Sequence, residues 1–421
     1  MRKNRSILST RSLAALLLTA ATLLAAPAVN SQQDTSATKA AEPAASFTPT
    51  AAAPAPGRPT PEGLALLAGD ANAEPALLTL LTAEVSDAFD SSRGGWVGKN
   101  GIPFESAVEL GFDLARSNGE LWKSRALYTM NWTWALYDSV GGGFFHRLAN
   151  IKKDDTSFEK RTLSNARRLE NLADAWNATH DPLYRARATA VAEYFNRVLL
   201  DGRGGFIDGQ VGSRDLVPQS NGLAIHAWLV WAAASTDRGR FNFALRSLDR
   251  AWEETWHPDL GMLHKDLFGT LKKAPQLDDQ VEMGRAYVLG AHLGGRPVDL
   301  EHAKTIATLL ETNFLDPKRG TWRTQAVPQK SGKVRSAVSI SDENARAALF
   351  MAELASVSGE ERWREAARRS LHASQAEFAR SGLYAADWAL AVRALNGSDF
   401  PSRPEWPAAE QTKPKPSNRF R

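Results

Sequence analysis

Residues 204–256 read GGFIDGQVGSRDLVPQSNGLAIHAWLVWAAASTDRGRFNFALRSLDRAWEETW. Three kinds of segment follow one another here. Gly204-Gly205-Phe206 is a turn signal that ends on an aromatic residue. Gly222 to Ala234 contains no Asp, Glu, Lys or Arg, and a helix that is apolar all round is a buried one. From 237 to 256, Arg240, Asp249, Arg250, Glu253 and Glu254 interleave with Phe241, Ala244, Leu248 and Trp252. That periodicity predicts a helix with one face on a core and the other in solvent. A turn, an inner helix and an outer helix form one unit.

The unit recurs along the chain. Gly94-Gly95-Trp96, Gly142-Gly143-Phe144, Gly320-Thr321-Trp322 and Gly382-Leu383-Tyr384 repeat the turn, and Gly261-Met262-Leu263 is a weaker copy. The last residues stand at 96, 144, 206, 263, 322 and 384, spaced by 48, 62, 57, 59 and 62. Six matches at a near-constant period mark a repeat protein. Outer helices are expected near 74–90, 119–137, 181–199, 237–256, 298–314 and 360–378. Inner helices are expected near 103–116, 159–178, 216–234, 278–294, 340–357 and 384–396. The first outer helix has no inner partner before it, and the last inner helix has no outer partner after it. Pairing the two closes a ring and removes both exposed ends, whereas an open solenoid needs capping repeats. The expected fold is all-α, an (α/α)6 barrel of six helical hairpins with short Gly-aromatic turns or β-hairpins at one end.

The flanks differ in kind. Arg2, Lys3, Arg5 and Arg11 precede an apolar stretch, Leu13 to Ala26, and Ala26-Pro27-Ala28 offers a cleavage pattern. Residues 1–28 are therefore expected to be a signal peptide, with an uncleaved anchor as the alternative. Residues 29–72, rich in Ala, Pro, Thr and Ser, read as a disordered tether, and 398–421 as a disordered Pro-rich tail. The barrel should occupy 73–397. Without residues 1–28 the chain carries 47 Lys and Arg against 47 Asp and Glu. The basic pI of the whole chain thus comes from the leader and does not argue for nucleic acid. There is no cysteine, which excludes disulfides, thiolate metal sites and thiol redox chemistry. No other stretch is apolar and long enough to span a membrane once the leader is removed. The expected location is periplasmic or secreted.

From about 74 to 397 the chain resembles the helical barrel of the thioredoxin-fused family that includes spermatogenesis-associated protein 20. The resemblance rests on Tyr137-Asp138-Ser139-Val140 before Gly141-Gly142-Gly143-Phe144, then Phe158-Glu159-Lys160 with Asn165-Ala166. Gly204-Gly205-Phe206 with Gln210, Asn221-Gly222-Leu223, Leu277-Asp278-Asp279 and Gly359-Glu360-Glu361-Arg362-Trp363 continue in family order. That barrel is similar to six-hairpin glycosidases and N-acylglucosamine 2-epimerases, which implies a sugar-like ligand, a small molecule or an oligosaccharide. The family's leading thioredoxin domain is missing here. Ser157, Leu163-Ser164, Val211-Gly212-Ser213 and Ser220 stand where the family usually carries His, Tyr-Asp, an acidic run and Trp. These departures motivate the alternative of a catalytically degenerate binding or scaffold protein of the same fold.

Each turn precedes the N-terminus of an inner helix, so in a closed ring all six N-termini share one end. Helix N-termini favour anionic and hydroxyl-rich ligands, and the pocket is expected there. Carboxylates gather at those positions: Glu105, Glu159, Asp278, Asp279, Asp342 and Glu343, with Asp138 in a turn. Glycosidic hydrolysis needs two carboxylates. Asp138, Glu159 and Asp279, which fall in the family-like motifs, are the expected catalytic residues; the plainer role is helix capping. His146 and Arg147 are expected to bind a ligand hydroxyl or carboxylate group, and Asp278, Gln210 and Asn221 of the family-like motifs are further expected ligand-binding residues. Trp96 and Trp322 are placed either to stack on a sugar ring or to anchor their turns. His226, inside the most apolar helix, reads as a core histidine, while His264 follows the fourth turn. No phosphate loop, dinucleotide fingerprint, zinc spacing or nucleophile elbow is present, so neither a metal nor a cofactor is expected.

Overall fold

The computed structural model of the chain describes residues 73–98, 101–117, 119–146, 159–211, 214–264, 275–326, 341–397 and 400–406. All belong to one compact unit, Ala55–Arg421. The expected leader and tether lie outside the described residues.

Among the described residues, twelve α-helices alternate between two concentric layers. The outer ones are α1 (Glu74–Asp87), α3 (Glu120–Thr133), α5 (Pro182–Tyr194), α7 (Arg238–Thr255), α9 (Pro297–Leu309) and α11 (Glu361–Phe378). The inner ones are α2 (Glu105–Ala115), α4 (Thr162–Thr179), α6 (Pro218–Ser235), α8 (Leu277–Gly294), α10 (Ser341–Ser358) and α12 (Ala385–Leu395). Each inner helix packs on the next, and α12 packs back on α2. The outer helix α1 lies on α12, so the first and last elements close the ring. The chain is an (α/α)6 barrel.

Local chemistry sets the helix ends. Asp181 and Asp237 cap α5 and α7 by accepting hydrogen bonds from Leu183 N and Arg240 N. The inner helices α4, α6, α8 and α10 stop at His180, Thr236, Gly295 and Gly359, all with positive φ. That left-handed residue turns the chain sharply into the outer helix. Burial follows the pattern: α6 is buried over nearly its whole length, while α7 buries only Phe241, Ala244, Ser247, Leu248, Ala251 and Thr255. Gly222 lets α6 approach α8 closely, because a Cβ there would lie 2.4 Å from the Glu282 carbonyl carbon.

The turns are tied to the helices by a recurring clasp. The Asn165 amide accepts from Phe144 N at 2.7 Å and donates to Phe144 O at 3.1 Å. Asn221 makes the same pair with Phe206, and Asn344 with Trp322. In the fourth repeat Gln280 does so with Met262, not with Leu263, so the true repeat residue stands one place earlier than the spacing suggested. Gly261 takes φ +80° there, and a Cβ would strike the Gln280 side chain at 2.3 Å. Two of these turns pair as short antiparallel ribbons: β1 (Trp256–His257) with β2 (Gly261–Met262), and β3 (Leu315–Asp316) with β4 (Thr321–Trp322).

Composition placed the boundary of the barrel at 397, yet residues 400–406 pack on it. The Phe400 ring lies 4.9 Å from that of His292, and Trp406 4.8 Å from Phe241. Arg403 donates to the His292 carbonyl at 3.0 Å. Two aromatic anchors and one arginine hold this strap, and an average over a Pro-rich tail hides them.

Each clasp satisfies two buried backbone groups at once. Asn344→Ala should leave Trp322 N–H and C=O without partners, at about 1–3 kcal/mol for each group. Urea denaturation of the variant should show a loss of about 2 kcal/mol or more relative to the parent.

Candidate functional site

The N-terminal ends of four inner helices, α2, α4, α10 and α12, surround a cavity of about 680 Å³. Its wall includes Glu105 and Ser106 from α2, Ser164, Arg167 and Arg168 from α4, Asp342 from α10 and Asp387 from α12. Phe104, Phe145, His146 and Tyr384 add rings to the rim. The volume falls within the roughly 300–1,000 Å³ typical of small-molecule sites.

Most charges facing this cavity are neutralised within the protein. Glu105 is in close contact with Arg168 and accepts from Asn171 Nδ2 at 2.8 Å. Arg346 holds Glu282 with two bonds of 3.0 and 3.1 Å and reaches Asp387 at 3.4 Å. Arg167 lies 3.5 Å from Glu282. Asp342 is different. Its Oδ1 accepts only the neighbouring Glu343 N–H at 3.1 Å, and among the described residues no cation stands against it. Glu343 and Asp278 flank it without ion pairs among the described residues; Asp278 accepts from Gln219 Nε2 at 3.1 Å. Burial pushes Glu343 up to about 8, with Asp278 and Asp342 adding to the shift. Burial likewise pushes Asp278 up to about 7, reinforced by Glu282, Asp279 and Asp342. One open carboxylate therefore stands beside two that hold protons near neutral pH.

The residues expected to act fall in several places. His146 lines the cavity, its Nδ1 2.9 Å from Ser164 Oγ. Asp138 sits in its turn: Oδ2 accepts from Lys160 Nζ at 2.6 Å, and Oδ1 accepts from the Val140 and Gly141 amides. The Lys160 bond first, and the two amides next, hold its carboxyl down at about 2. Glu159 is half exposed and bonded to Arg161 Nε at 2.7 Å. Asp279 is fully buried; it accepts from Gln219 N at 3.0 Å and meets His264 Nδ1 at 2.7 Å. Burial raises its carboxyl, against the pull of His264.

Trp96 and Trp322 are fully buried and donate to Val85 O and Glu311, both at 3.0 Å. They anchor the wall and are not available to stack on a ligand. Asn221 is spent in its clasp, and Gln210 Oε1 is 3.3 Å from the Tyr194 hydroxyl. Neither lines the cavity. Arg147 lies outside the described residues. His226 meets Glu170 at 3.1 Å beside a second cavity of about 90 Å³. That cavity lies at the other end of the inner helices, beneath Phe400 and Pro401. Arg167, Arg168, Asp387 and Tyr384 were not anticipated as cavity residues, although Tyr384 was counted among the turn aromatics. Among the described residues no group of three or more His, Cys, Asp or Glu is disposed to hold a metal, and no helix is long and apolar enough to cross a membrane.

The same barrel occurs in sugar-converting enzymes. The chain is similar to cellobiose 2-epimerase from Spirochaeta thermophila, with a TM-score of 0.62 and 13% identity over 78% of this chain and 99% of that one. It is similar to a D-mannose isomerase, with a TM-score of 0.62 and 12% identity over 78% and 98%. A GH76 α-mannanase from Bacteroides thetaiotaomicron matches with a TM-score of 0.56 and 11% identity over 79% and 98%. No protein-family sequence profile matches the chain, and no curated protein matches it. At such identities the likeness is one of fold, and fold alone does not carry a reaction.

The raised carboxyls have a stability consequence. Between pH 4 and about 7–8 the folded protein holds protons on Asp278 and Glu343 that the unfolded chain has released, so stability falls as pH rises through that window. Asp278→Asn should therefore melt higher than the parent at pH 8, by about 2 °C or more, and no higher at pH 4. Thermal scans at the two pH values check this.

Proposed function

We propose that the barrel binds a short saccharide in the 680 Å³ cavity and acts on it by proton transfer, with Asp342 as the base. The observation that carries this reading is that, among the described residues, no cation pairs with Asp342 in a cavity where Glu105 and Asp387 each have an arginine. Asp342 stands in the first turn of α10, at the cavity end of that helix. Glu343 and Asp278, pushed up by burial to about 8 and about 7, stand behind the cavity wall within reach of the Asp342 charge and are the proposed proton donors. A carboxylate of each kind is what epimerisation, isomerisation or hydrolysis of a sugar requires. The similar solved structures include an epimerase, an isomerase and a mannanase, which supports a carbohydrate ligand.

Asp279 then serves through His264, and His146 with Ser164 and Ser106 offers partners for hydroxyl groups. Asp138 and Glu159 are each bonded to a cation, Lys160 and Arg161, and neither lines the cavity. We further propose that the chain is exported, on the basic and apolar pattern of residues 1–28. A kinship with the barrel of the thioredoxin-fused family is proposed on the order of its motifs between 137 and 363.

The test is incubation with mannose, glucose, cellobiose and α-1,6-linked mannobiose, followed by chromatography of the products. Asp342→Asn should lower turnover about 10²–10⁴-fold, the range for a positioned acid or base, while saccharide affinity stays within tenfold. Unchanged turnover in Asp342→Asn would remove this residue from the mechanism. Binding without turnover by the parent would make the protein a carbohydrate binder of the same fold.

A further inference from the structure

We propose that Tyr384 is the stacking platform for a pyranose ring at the mouth of the cavity. This deepens the carbohydrate reading and rests on it. The argument begins with the repeat. Five of the six turn residues are sunk into the wall: Trp96, Phe206, Met262 and Trp322 are 0% exposed and Phe144 is 2% exposed. Four of those five are clasped by an inner-helix amide, and Trp96 N donates instead to Thr129 Oγ1 at 3.2 Å. Tyr384, the sixth in the sequence series, stands instead in a 3-10 turn that runs directly into α12; it is 52% exposed and lines the cavity.

The ring is held in place without being covered. Its centroid lies 5.0 Å from that of Phe104, with the planes at 85°. Phe104 lines the same cavity and is itself tied down, its N–H donating to Trp96 O at 2.9 Å. The turn carrying Tyr384 is fixed as well, since Gly382 N donates to Glu84 Oε2 at 3.4 Å and Tyr384 N to Ser381 O at 3.0 Å. A tyrosine offers a large apolar face at low conformational cost, with its hydroxyl left for water or ligand. The C–H face of a pyranose matches that surface, while its equatorial hydroxyls can turn to Ser106, Ser164 and His146 across the cavity. The ligand class is thus a pyranoside, and the ring on Tyr384 lies at the rim.

Saturation-transfer NMR on the full chain tests this, with mannose, glucose, cellobiose and α-1,6-linked mannobiose as probes. A bound probe should show its strongest saturation on the ring C–H protons of one face. Tyr384→Ala and Tyr384→Leu should each weaken binding about tenfold or more, and Tyr384→Phe should stay within about twofold. Because the side chain is half exposed, all three variants should keep the parent's circular dichroism spectrum; the leucine variant preserves bulk if the alanine variant does not. If a probe binds and the alanine and leucine variants bind it as the parent does, the platform is overturned and the carbohydrate reading stands. If no probe binds the parent, both fall.

Discussion

The barrel depends on a carboxamide that imitates a β-strand. Asn165, Asn221, Gln280 and Asn344 each offer one acceptor and one donor to the N–H and C=O of a single turn residue. The pairing is the one a neighbouring strand would make, supplied instead by the first turn of an inner helix. It fixes turn to helix regardless of how much chain lies between. The separations are 21, 15, 18 and 22 residues, so the spacing in sequence is uneven while the geometry repeats. With four of the turns locked to their helices in this way, those inner N-termini end at one level beside the mouth.

Much of this architecture was legible beforehand. Gly222 to Ala234 announced an inner helix by lacking charge, and 237–256 announced an outer one by its period. The unpaired first and last helices required closure, and α1 does lie on α12. The site was far less legible. Asn221 and Trp322 stood in the right place for a ligand, yet their side chains hold the wall. Residue type cannot separate the two roles, because the groups that clasp a backbone are the ones that would clasp a sugar. Position relative to the backbone decides, and that is visible only in three dimensions.

The charges tell the same story at longer range. Arg168 joins Glu105 across 63 positions, and Arg346 and Arg285 join Glu282 and Glu353 across 64 and 68. No local pattern links such partners. Burying them is costly unless each pair is well bonded, and both Arg346 and Arg285 grip their carboxylates with two bonds. Among the described residues, Asp342 is the cavity carboxylate that no such pair holds.

Those same ion pairs lie between the two cavities. Glu109 touches Arg285 at 3.8 Å and Arg346 at 3.9 Å, joining the layer beneath the mouth to the smaller cavity under Phe400 and Pro401. The barrel is thus a blind well, closed by a floor of salt bridges and, below it, by the 400–406 strap. Because that partition is charged and shared, removing one of its carboxylates leaves an arginine uncompensated between both cavities.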